Sequence, residues 1–247
     1  MRPSPTPPAE PARDRLACIF RHGDALRSRS VSGVVLAATL DIPAPPARLA
    51  ADWQREVASL ALEPGDVEPL PLARARMRWP DYRLCVQAMA DWTSAQGFPG
   101  LLATCDIALM ACRGARYHHD GAQYGGAAFC NLFVSDDRGL DVIFPHAGHR
   151  IPLTRGTALV FDTGQPHAVV RRGGTGFDAA DFPPDDDCAQ LFLTWELPIE
   201  EPRIAGALGV AFDVDPQAAL RLDEEQVLVN GAPAVLCPAS GRWLSRG

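Results

Sequence analysis

The stretch Tyr117-His118-His119-Asp120 follows a strand-like tract at residues 105–112 and decides how the fold is interpreted. A second strand-like tract, residues 157–162, leads through a Gly-x-Pro turn to His167. Successive side chains of a strand point to opposite faces, so His118 and Asp120 share a face while His119 points the other way. The sequence therefore predicts two strand ends that direct polar side chains toward a common region.

Two imidazoles and one carboxylate that meet at one point form a 2-His-1-carboxylate set. Such a set leaves positions open on the far side of the metal, which suits Fe(II) that must hold a co-substrate and O₂ together. We predict that His118, Asp120 and His167 bind this ion. A short His-x-Asp pattern also occurs by chance, so packing or surface roles for the three residues remain alternatives.

Composition limits the classes of protein that the chain can represent. The 247 residues are 47% hydrophobic, which is enough for one sizeable core. A net charge of −7 argues against nucleic acid as a partner. The sequence has neither a long apolar run nor the apolar core of a signal peptide. Seven cysteines without a Cys-x-x-Cys pair predict reduced thiols in a cytoplasmic protein.

The order of patterns along the chain predicts one domain with a short leader. Residues 1–13 contain five prolines and are predicted to be disordered, whereas residues 14–247 are predicted to form a single domain. Apolar residues recur at helical spacing over residues 49–60 and again over residues 84–92, which predicts two amphipathic helices that flank a sheet. Residues 65–80 between them are predicted to be loop.

From about residue 103 to residue 198 the pattern changes to short β-runs separated by turns. Eight such runs without a helical period predict an antiparallel sandwich or barrel, with the metal ligands at its mouth. The predicted strands are 105–112, 115–120, 127–135, 140–144, 149–153, 157–162, 167–172 and 189–197.

The order of these motifs resembles a known family. A β-run leads into His118-His119-Asp120, residues 131–145 and 151–161 follow, and His167 precedes Leu191-Phe192-Leu193-Thr194-Trp195. Residues 100–198 are similar in this respect to the 2-oxoglutarate/Fe(II)-dependent dioxygenases, nearest to the prolyl-4-hydroxylase-like branch. The resemblance implies a mainly β fold, a double-stranded β-helix (jelly roll) with flanking N-terminal helices. It also implies iron bound by the three ligands above, 2-oxoglutarate and O₂ as co-substrates, and hydroxylation with release of succinate and CO₂.

The co-substrate end departs from the family pattern. Members hold the distal carboxylate of 2-oxoglutarate with an Arg or Lys on the strand after the distal histidine, and residues 188–195 contain neither. Arg171 shares a strand face with His167, and a guanidinium can bind a carboxylate through two hydrogen bonds. Four residues of strand span about 13 Å, which is long for a ligand that also chelates iron. Arg171 is the predicted co-substrate residue, Arg150 is the reserve, and Arg172 is predicted to be a surface charge.

Two interpretations are open for several other polar residues and for one loop. Asn131 either donates to 2-oxoglutarate or satisfies a local backbone group. Tyr117 either contacts the co-substrate or packs in the core, and His119 is predicted to lie at the surface. The Asp-rich loop at residues 173–187 is either a solvated surface or a lid that selects a basic substrate.

The sequence gives only coarse predictions for the substrate and for the C-terminal extension. A small molecule, an amino acid or a peptide is the expected substrate, since the family fold does not select among them. Residues 199–247 are predicted to contain a short helix at 216–222 and a hairpin around Asn230-Gly231, without chemistry of their own. Two alternatives remain: a cupin-like metalloenzyme that does not use 2-oxoglutarate, and a non-catalytic binding barrel. Oligomeric state is not predicted.

Overall fold

The computed structural model describes residues 14–183 and 186–245. The predicted leader at residues 1–13 lies outside the described residues, as does Asp185 of the acidic loop. The strands of the described part are β1 (Leu16–His22), β2 (Ala25–Ser30), β3 (Val35–Thr39), β4 (Val67–Leu70), β5 (Ile107–Cys112), β6 (Ala115–His118), β7 (Ala127–Phe133), β8 (Leu140–Phe144), β9 (His149–Leu153), β10 (Thr157–Asp162), β11 (His167–Arg171), β12 (Gln190–Pro198), β13 (Gln226–Val229), β14 (Ala232–Leu236) and β15 (Trp243–Ser245).

Five α-helices accompany the strands within the same described residues. Among the described residues no α-helix lies between β5 and β12. A 3₁₀ turn at 101–104 precedes β5, and another at 179–181 lies between β11 and β12. No helix in this part of the chain is long and apolar enough to cross a bilayer. The helices are α1 (Ala47–Leu60), α2 (Leu72–Arg78), α3 (Tyr82–Ala95), α4 (Pro202–Leu208) and α5 (Pro216–Arg221).

Strands β5 to β12 form two sheets and define the architecture. One sheet has the order β3-β10-β7-β12-β5-β4, and the other has the order β6-β11-β8-β9. The chain therefore passes from sheet to sheet through eight antiparallel strands, which is the connectivity of a jelly roll. The predicted double-stranded β-helix is confirmed, and each of its eight strands lies within two residues of its predicted ends.

The alternation of side chains along these strands fills two separate cores. Along β10, Leu159 and Phe161 belong to the core between the two sheets. Ala158 and Val160 belong to a second core on the opposite face. Because both faces are covered, all six residues of β10 are buried, which explains its nearly continuous apolar sequence.

The second core contains residues of α1 and α3 as well as the outer face of the larger sheet. Leu49 and Trp53 of α1 are buried in it, and the Trp53 ring meets Trp79 edge-to-face at 5.3 Å. The prediction of loop over residues 65–80 was wrong, since β4 and α2 lie there. β4 is an edge strand that pairs with β5, so it depends on a tertiary contact that the local sequence does not show.

A third sheet joins the two ends of the described chain. Its order is β15-β14-β13-β1-β2, and Leu16 pairs with Val229 across more than 200 residues. The predicted hairpin corresponds to β13 and β14, whereas β2 and α4 were not predicted. The sequence of β2, ALRSRS, is too polar to show the alternation of a half-buried strand.

Candidate metal centre

Antiparallel pairing places two histidines side by side at one end of the barrel. His118 ends β6, His167 begins β11, and the two residues are direct partners in the ladder. Cross-strand partners present their side chains on the same face. The two rings accordingly lie with their centroids 4.3 Å apart.

Asp120 completes the cluster from the turn that follows β6. Its backbone N–H donates to the carbonyl of Thr163 at 2.8 Å, so the turn is attached to the segment that leads to His167. One carboxylate oxygen lies 3.8 Å from Nε2 of His118, and the other lies 3.6 Å from Nε2 of His167. One ligand atom from each of the three residues can be chosen so that all lie within 4.8 Å of one another.

Backbone carbonyls fix which nitrogen of each ring faces the cluster. Nδ1 of His118 lies 2.7 Å from the carbonyl of Arg116, and Nδ1 of His167 lies 3.1 Å from the carbonyl of Gln165. A carbonyl oxygen only accepts, so Nδ1 is the donor in each ring. Nε2 of each neutral imidazole then carries the free lone pair. The hydrogen bond from Nδ1 to the carbonyl also fixes the orientation of the ring for metal binding.

Burial shifts the pKa values of His167 and Asp120 in the directions that favour their uncharged forms. It lowers the pKa of His167 well below its usual value, and the neighbouring His118 lowers this pKa further. Burial raises the pKa of the Asp120 carboxyl, while the proximity of His118 opposes this effect. A divalent cation reverses the balance, because it favours an ionised carboxylate and unprotonated imidazoles.

The donor set fits a ferrous ion. Two neutral imidazoles and one carboxylate converge from two adjacent strands, and the whole set lies at one end of the barrel. This ligand combination, which leaves open positions, is the one used by non-haem Fe(II) oxygenases. His167 is also held between aromatic rings, with Phe144 stacked at 5.8 Å and Phe161 edge-on at 5.1 Å.

Asn131 lies on the inner face of β7, as the alternation of this strand requires. It is 7% exposed, and its cross-strand neighbours are Leu159 and Thr194. Its Oδ1 atom has no hydrogen-bond partner within the described residues. Buried amide oxygens are normally hydrogen-bonded, so this side chain is a candidate for contact with a bound ligand.

Arg171 lies at the opposite end of the barrel from the histidines. Its guanidinium donates to the carbonyls of Asp181 at 2.8 Å and Arg138 at 3.1 Å, and it forms an ion pair with Asp186. At the start of β12, Gln190 is wholly buried and both of its amide atoms are bonded, to the Ser135 hydroxyl and to the Leu153 carbonyl. The chain contains no lysine, so any cation for a co-substrate has to be an arginine or a histidine.

Tyr117, Arg172 and Arg150 lie away from the ligand cluster. Tyr117 is buried with Ala168, Val170 and Leu236 on the other face of the smaller sheet, which argues against a co-substrate contact. Arg172 and Arg150 both bind the carboxylate of Asp141, at 2.9 and 2.7 Å.

His119 follows the last residue of β6, and its side chain lies beside Trp243 of the third sheet. Its ring lies 5.4 Å from that of Trp243, and burial together with His118 lowers its pKa to about 4. The prediction of a surface position is only partly met, because His119 is half-buried.

The Asp-rich loop at residues 173–187 is attached to the barrel by several charges. Asp186 pairs with Arg171, and Asp187 pairs with Arg138 at 2.6 Å. Phe182 from the same loop is 1% exposed and belongs to the core between the sheets. These contacts neutralise two of the acidic side chains that a lid for a basic substrate would need.

One feature of the ligand end was not predicted. Arg29 and Asp162, each fully buried, form an ion pair beside the two loops that carry the ligands. Asp162 at the end of an apolar strand indicates that some cation is nearby, since buried carboxylates are paired. The identity of that cation depends on the pairing of β2, which local sequence does not reveal.

The comparisons with known proteins gave structural matches only. No family model matches the chain, and no curated protein matches it. A prolyl-4-hydroxylase from Pseudomonas putida matches with a TM-score of 0.40 and 18% identity, covering 68% of this chain and 93% of that one. A viral collagen prolyl hydroxylase from Paramecium bursaria Chlorella virus-1, in complex with 2-oxoglutarate, matches with a TM-score of 0.34 and 7% identity, covering 66% and 94%. The fold is assigned from the strand order of the two sheets.

Proposed function

We propose that the protein is an Fe(II)- and 2-oxoglutarate-dependent oxygenase that hydroxylates a small molecule, an amino acid or a peptide. The observation that carries this proposal is the convergence of one ligand atom each from His118, Asp120 and His167 within 4.8 Å of one another. The overall reaction consumes substrate, 2-oxoglutarate and O₂, and it gives hydroxylated substrate, succinate and CO₂. A ferrous ion held by these ligands would supply the O₂ chemistry, and the protein supplies binding and orientation.

The protein contributes a fixed and partly dry environment around the ligands. The carbonyls of Arg116 and Gln165 hold the two imidazoles in the orientation that leaves Nε2 free. Phe144 and Phe161 cover the His167 ring and keep water from that side. Low exposure of this kind strengthens electrostatic interactions and limits side reactions of bound intermediates.

The co-substrate is proposed to lie along the inner face between the ligands and the far end. Asn131 is the polar group midway along that face, and its amide N–H can donate to a carboxylate. Arg171 is the proposed partner of the distal carboxylate. It already binds the carboxylate of Asp186, so the geometry at its guanidinium is suitable for such a group, and the two carboxylates would compete.

The proposed substrate entrance is a cavity of about 560 Å³ at the barrel mouth, which we call the mouth cavity. It is lined by Ala108 and Thr194 of the larger sheet and by Tyr124, four residues after Asp120. The Tyr124 ring lies 5.2 Å from Phe129, which is the first of a series of rings that continues to Phe161. Phe161 in turn contacts His167, so the cavity is connected to the ligand cluster by adjacent side chains.

The charge of the mouth cavity favours a neutral or cationic substrate. Asp106 and Glu196 line it, no basic residue does, and neither carboxylate has an ion-pair partner in the described part of the chain. An anionic substrate would meet uncompensated repulsion there. Amino acids, amines and peptides with neutral or basic side chains are therefore the first compounds to screen by succinate release.

Anaerobic titration tests the proposal directly. Metal-free protein is mixed with Fe(II) and then with 2-oxoglutarate, and the visible charge-transfer absorption that follows chelation is recorded. Succinate release is measured in parallel for the wild type and for Asp120→Ala. We expect the absorption band and uncoupled succinate release in the wild type, and loss of both in the variant.

Other outcomes identify the alternatives. Iron binding that depends on Asp120 without a band on addition of 2-oxoglutarate would favour a cupin-like metalloenzyme. Failure of the wild type to bind Fe(II), Co(II) or Mn(II) would favour a binding barrel without catalysis. Succinate release that is unchanged in Asp120→Ala would contradict the ligand assignment.

A further inference from the structure

Two loops that contain or adjoin the proposed ligands are in direct contact: Asp120 lies in the first, and the second leads to His167. We call residues 119–126 and 163–166 the ligand loops. The backbone N–H of Asp120 donates to Thr163, whose hydroxyl donates to the carbonyl of Tyr124 at 2.7 Å. A Cβ added to Gly121 would lie 3.0 Å from Cα of Gly164, so the two backbones approach as closely as glycine allows.

A buried ion pair lies behind both ligand loops. The two terminal nitrogens of Arg29 bind the two carboxylate oxygens of Asp162 at 2.7 and 2.9 Å, and neither side chain has exposed surface. This two-point geometry fixes orientation as well as distance. Arg29 belongs to β2 of the third sheet, so the constraint is applied from outside the barrel.

Each member of the pair is also bonded to one ligand loop. Nε of Arg29 donates to the carbonyl of Gly125 at 2.8 Å, in the loop that begins at Asp120. Asp162 accepts from the backbone N–H of Gly164 at 2.8 Å, in the loop that ends at His167. Asp162 accepts in addition from the N–H of Ser32 at 2.8 Å. The pair therefore links the two loops through a rigid and fully bonded unit.

We propose that Arg29 and Asp162 are positioning residues that set the separation of Asp120 and His167 and thereby determine the affinity of the site for metal. This inference rests on the proposed function, because it assumes the ligand set given there. The side chains do not contact the ligand atoms, so they act through the backbone of the ligand loops. A lysine at position 29 keeps the charge but loses the two-point geometry and the bond to Gly125.

The test measures Co(II) affinity of the metal-free full-length protein, by calorimetry and by the visible absorption of bound Co(II). We expect Arg29→Lys and Asp162→Asn to weaken Co(II) binding about 10- to 100-fold, the range seen when partners of metal ligands are removed. We also expect the Co(II) band to shift, because the ligand geometry changes. Circular dichroism before each titration establishes that the variant is folded.

Two matched controls separate positioning from general destabilisation. Arg27 lies on the same strand and pairs with Glu200 and Asp213 at 31% exposure, and Asp141 is a nearly buried carboxylate bound by two arginines far from the ligand loops. Arg27→Lys and Asp141→Asn should leave Co(II) affinity within about 2-fold of the wild type. Asp141→Asn should nevertheless lower thermal stability, because a buried charge pair is broken.

The outcomes distinguish this inference from the proposed function. Folded Arg29→Lys or Asp162→Asn that binds Co(II) like the wild type, with an unshifted band, would overturn the positioning role. An equal loss of affinity in Asp141→Asn would overturn it as well, since the effect would then follow stability alone. Should Arg29→Lys not fold, Asp162→Asn decides, because it preserves the shape of the buried site. Asp120→Ala that binds Co(II) normally would instead refute the ligand set itself.

Discussion

The polar side chains at the two ends of the barrel differ in their bonding partners. At the ligand end, the carboxylate oxygens of Asp120 lie 3.8 Å from Nε2 of His118 and 3.6 Å from Nε2 of His167. At the far end, the guanidinium of Arg171 is bound by two carbonyls and by Asp186. Phe182 closes the core beside it.

The difference indicates where a ligand is required. Buried polar groups are normally bonded within the protein, and those that are not have a partner that is not part of the chain. At the far end the guanidinium of Arg171 is bonded within the protein, so this group contributes to stability. At the ligand end two imidazoles and a carboxylate converge, and a cation held there, as proposed, would bond to all three.

The largest expected effect comes from removing a ligand. His167→Ala should weaken Fe(II) or Co(II) binding by more than about 100-fold, beyond the loss typical of partners of metal ligands. His149→Ala, an exposed histidine on β9, is the control and should bind normally. Metal content after dialysis and calorimetric titration measure both. Equal metal content in the two variants would contradict the assignment of His167 as a ligand.

A large effect of a different kind is expected at the far end. Phe182→Ala should lower the free energy of unfolding by about 3–5 kcal/mol, because it empties a volume in the core between the sheets. Phe177, stacked on Phe182 at 5.3 Å but only half-buried, should cost less when replaced by Ala. Urea unfolding gives both values. Co(II) affinity should not change, and a parallel loss of affinity would mean that the two ends are coupled.

The barrel strands could be predicted because each carries its signal locally. Alternation along β7 and the apolar run of β10 follow directly from one or two buried faces. Strand alternation also predicted that His118 and Asp120 would meet, although in the structure Asp120 lies in the turn after β6 and is held there by Thr163. His167 was added to them from the strand and turn that precede it, with support from the resemblance, and the structure shows that ladder pairing brings it there.

The remaining parts depend on contacts between distant residues. The third sheet needs the pairing of β1 with β13, and the Arg29–Asp162 pair needs β2 to lie beside β1. Strand alternation indicated the face on which Arg171 lies. It could not indicate the direction of the guanidinium, which is fixed by carbonyls and a carboxylate from two other segments. Binding of metal and co-substrate by the predicted residues stays a prediction.

The smallest expected effect concerns the co-substrate and asks whether the far end is only structural. Arg171→Ala should raise the KM for 2-oxoglutarate about 10- to 100-fold, which corresponds to the loss of a charge-assisted hydrogen bond of about 1.5–3 kcal/mol. Arg172→Ala is the control and should leave this KM unchanged, since its guanidinium binds Asp137 and Asp141. Succinate release at varied 2-oxoglutarate concentration measures each value.

Asp186→Asn makes the same prediction sharper. If the co-substrate carboxylate and Asp186 compete for Arg171, removing the charge of Asp186 should lower the KM for 2-oxoglutarate a few-fold, in the direction opposite to Arg171→Ala. If both variants leave the KM unchanged while lowering stability, Arg171 only fastens the 173–187 loop. Asn131 would then be the remaining polar contact predicted on the inner face, and the two ends of the barrel would have separate functions.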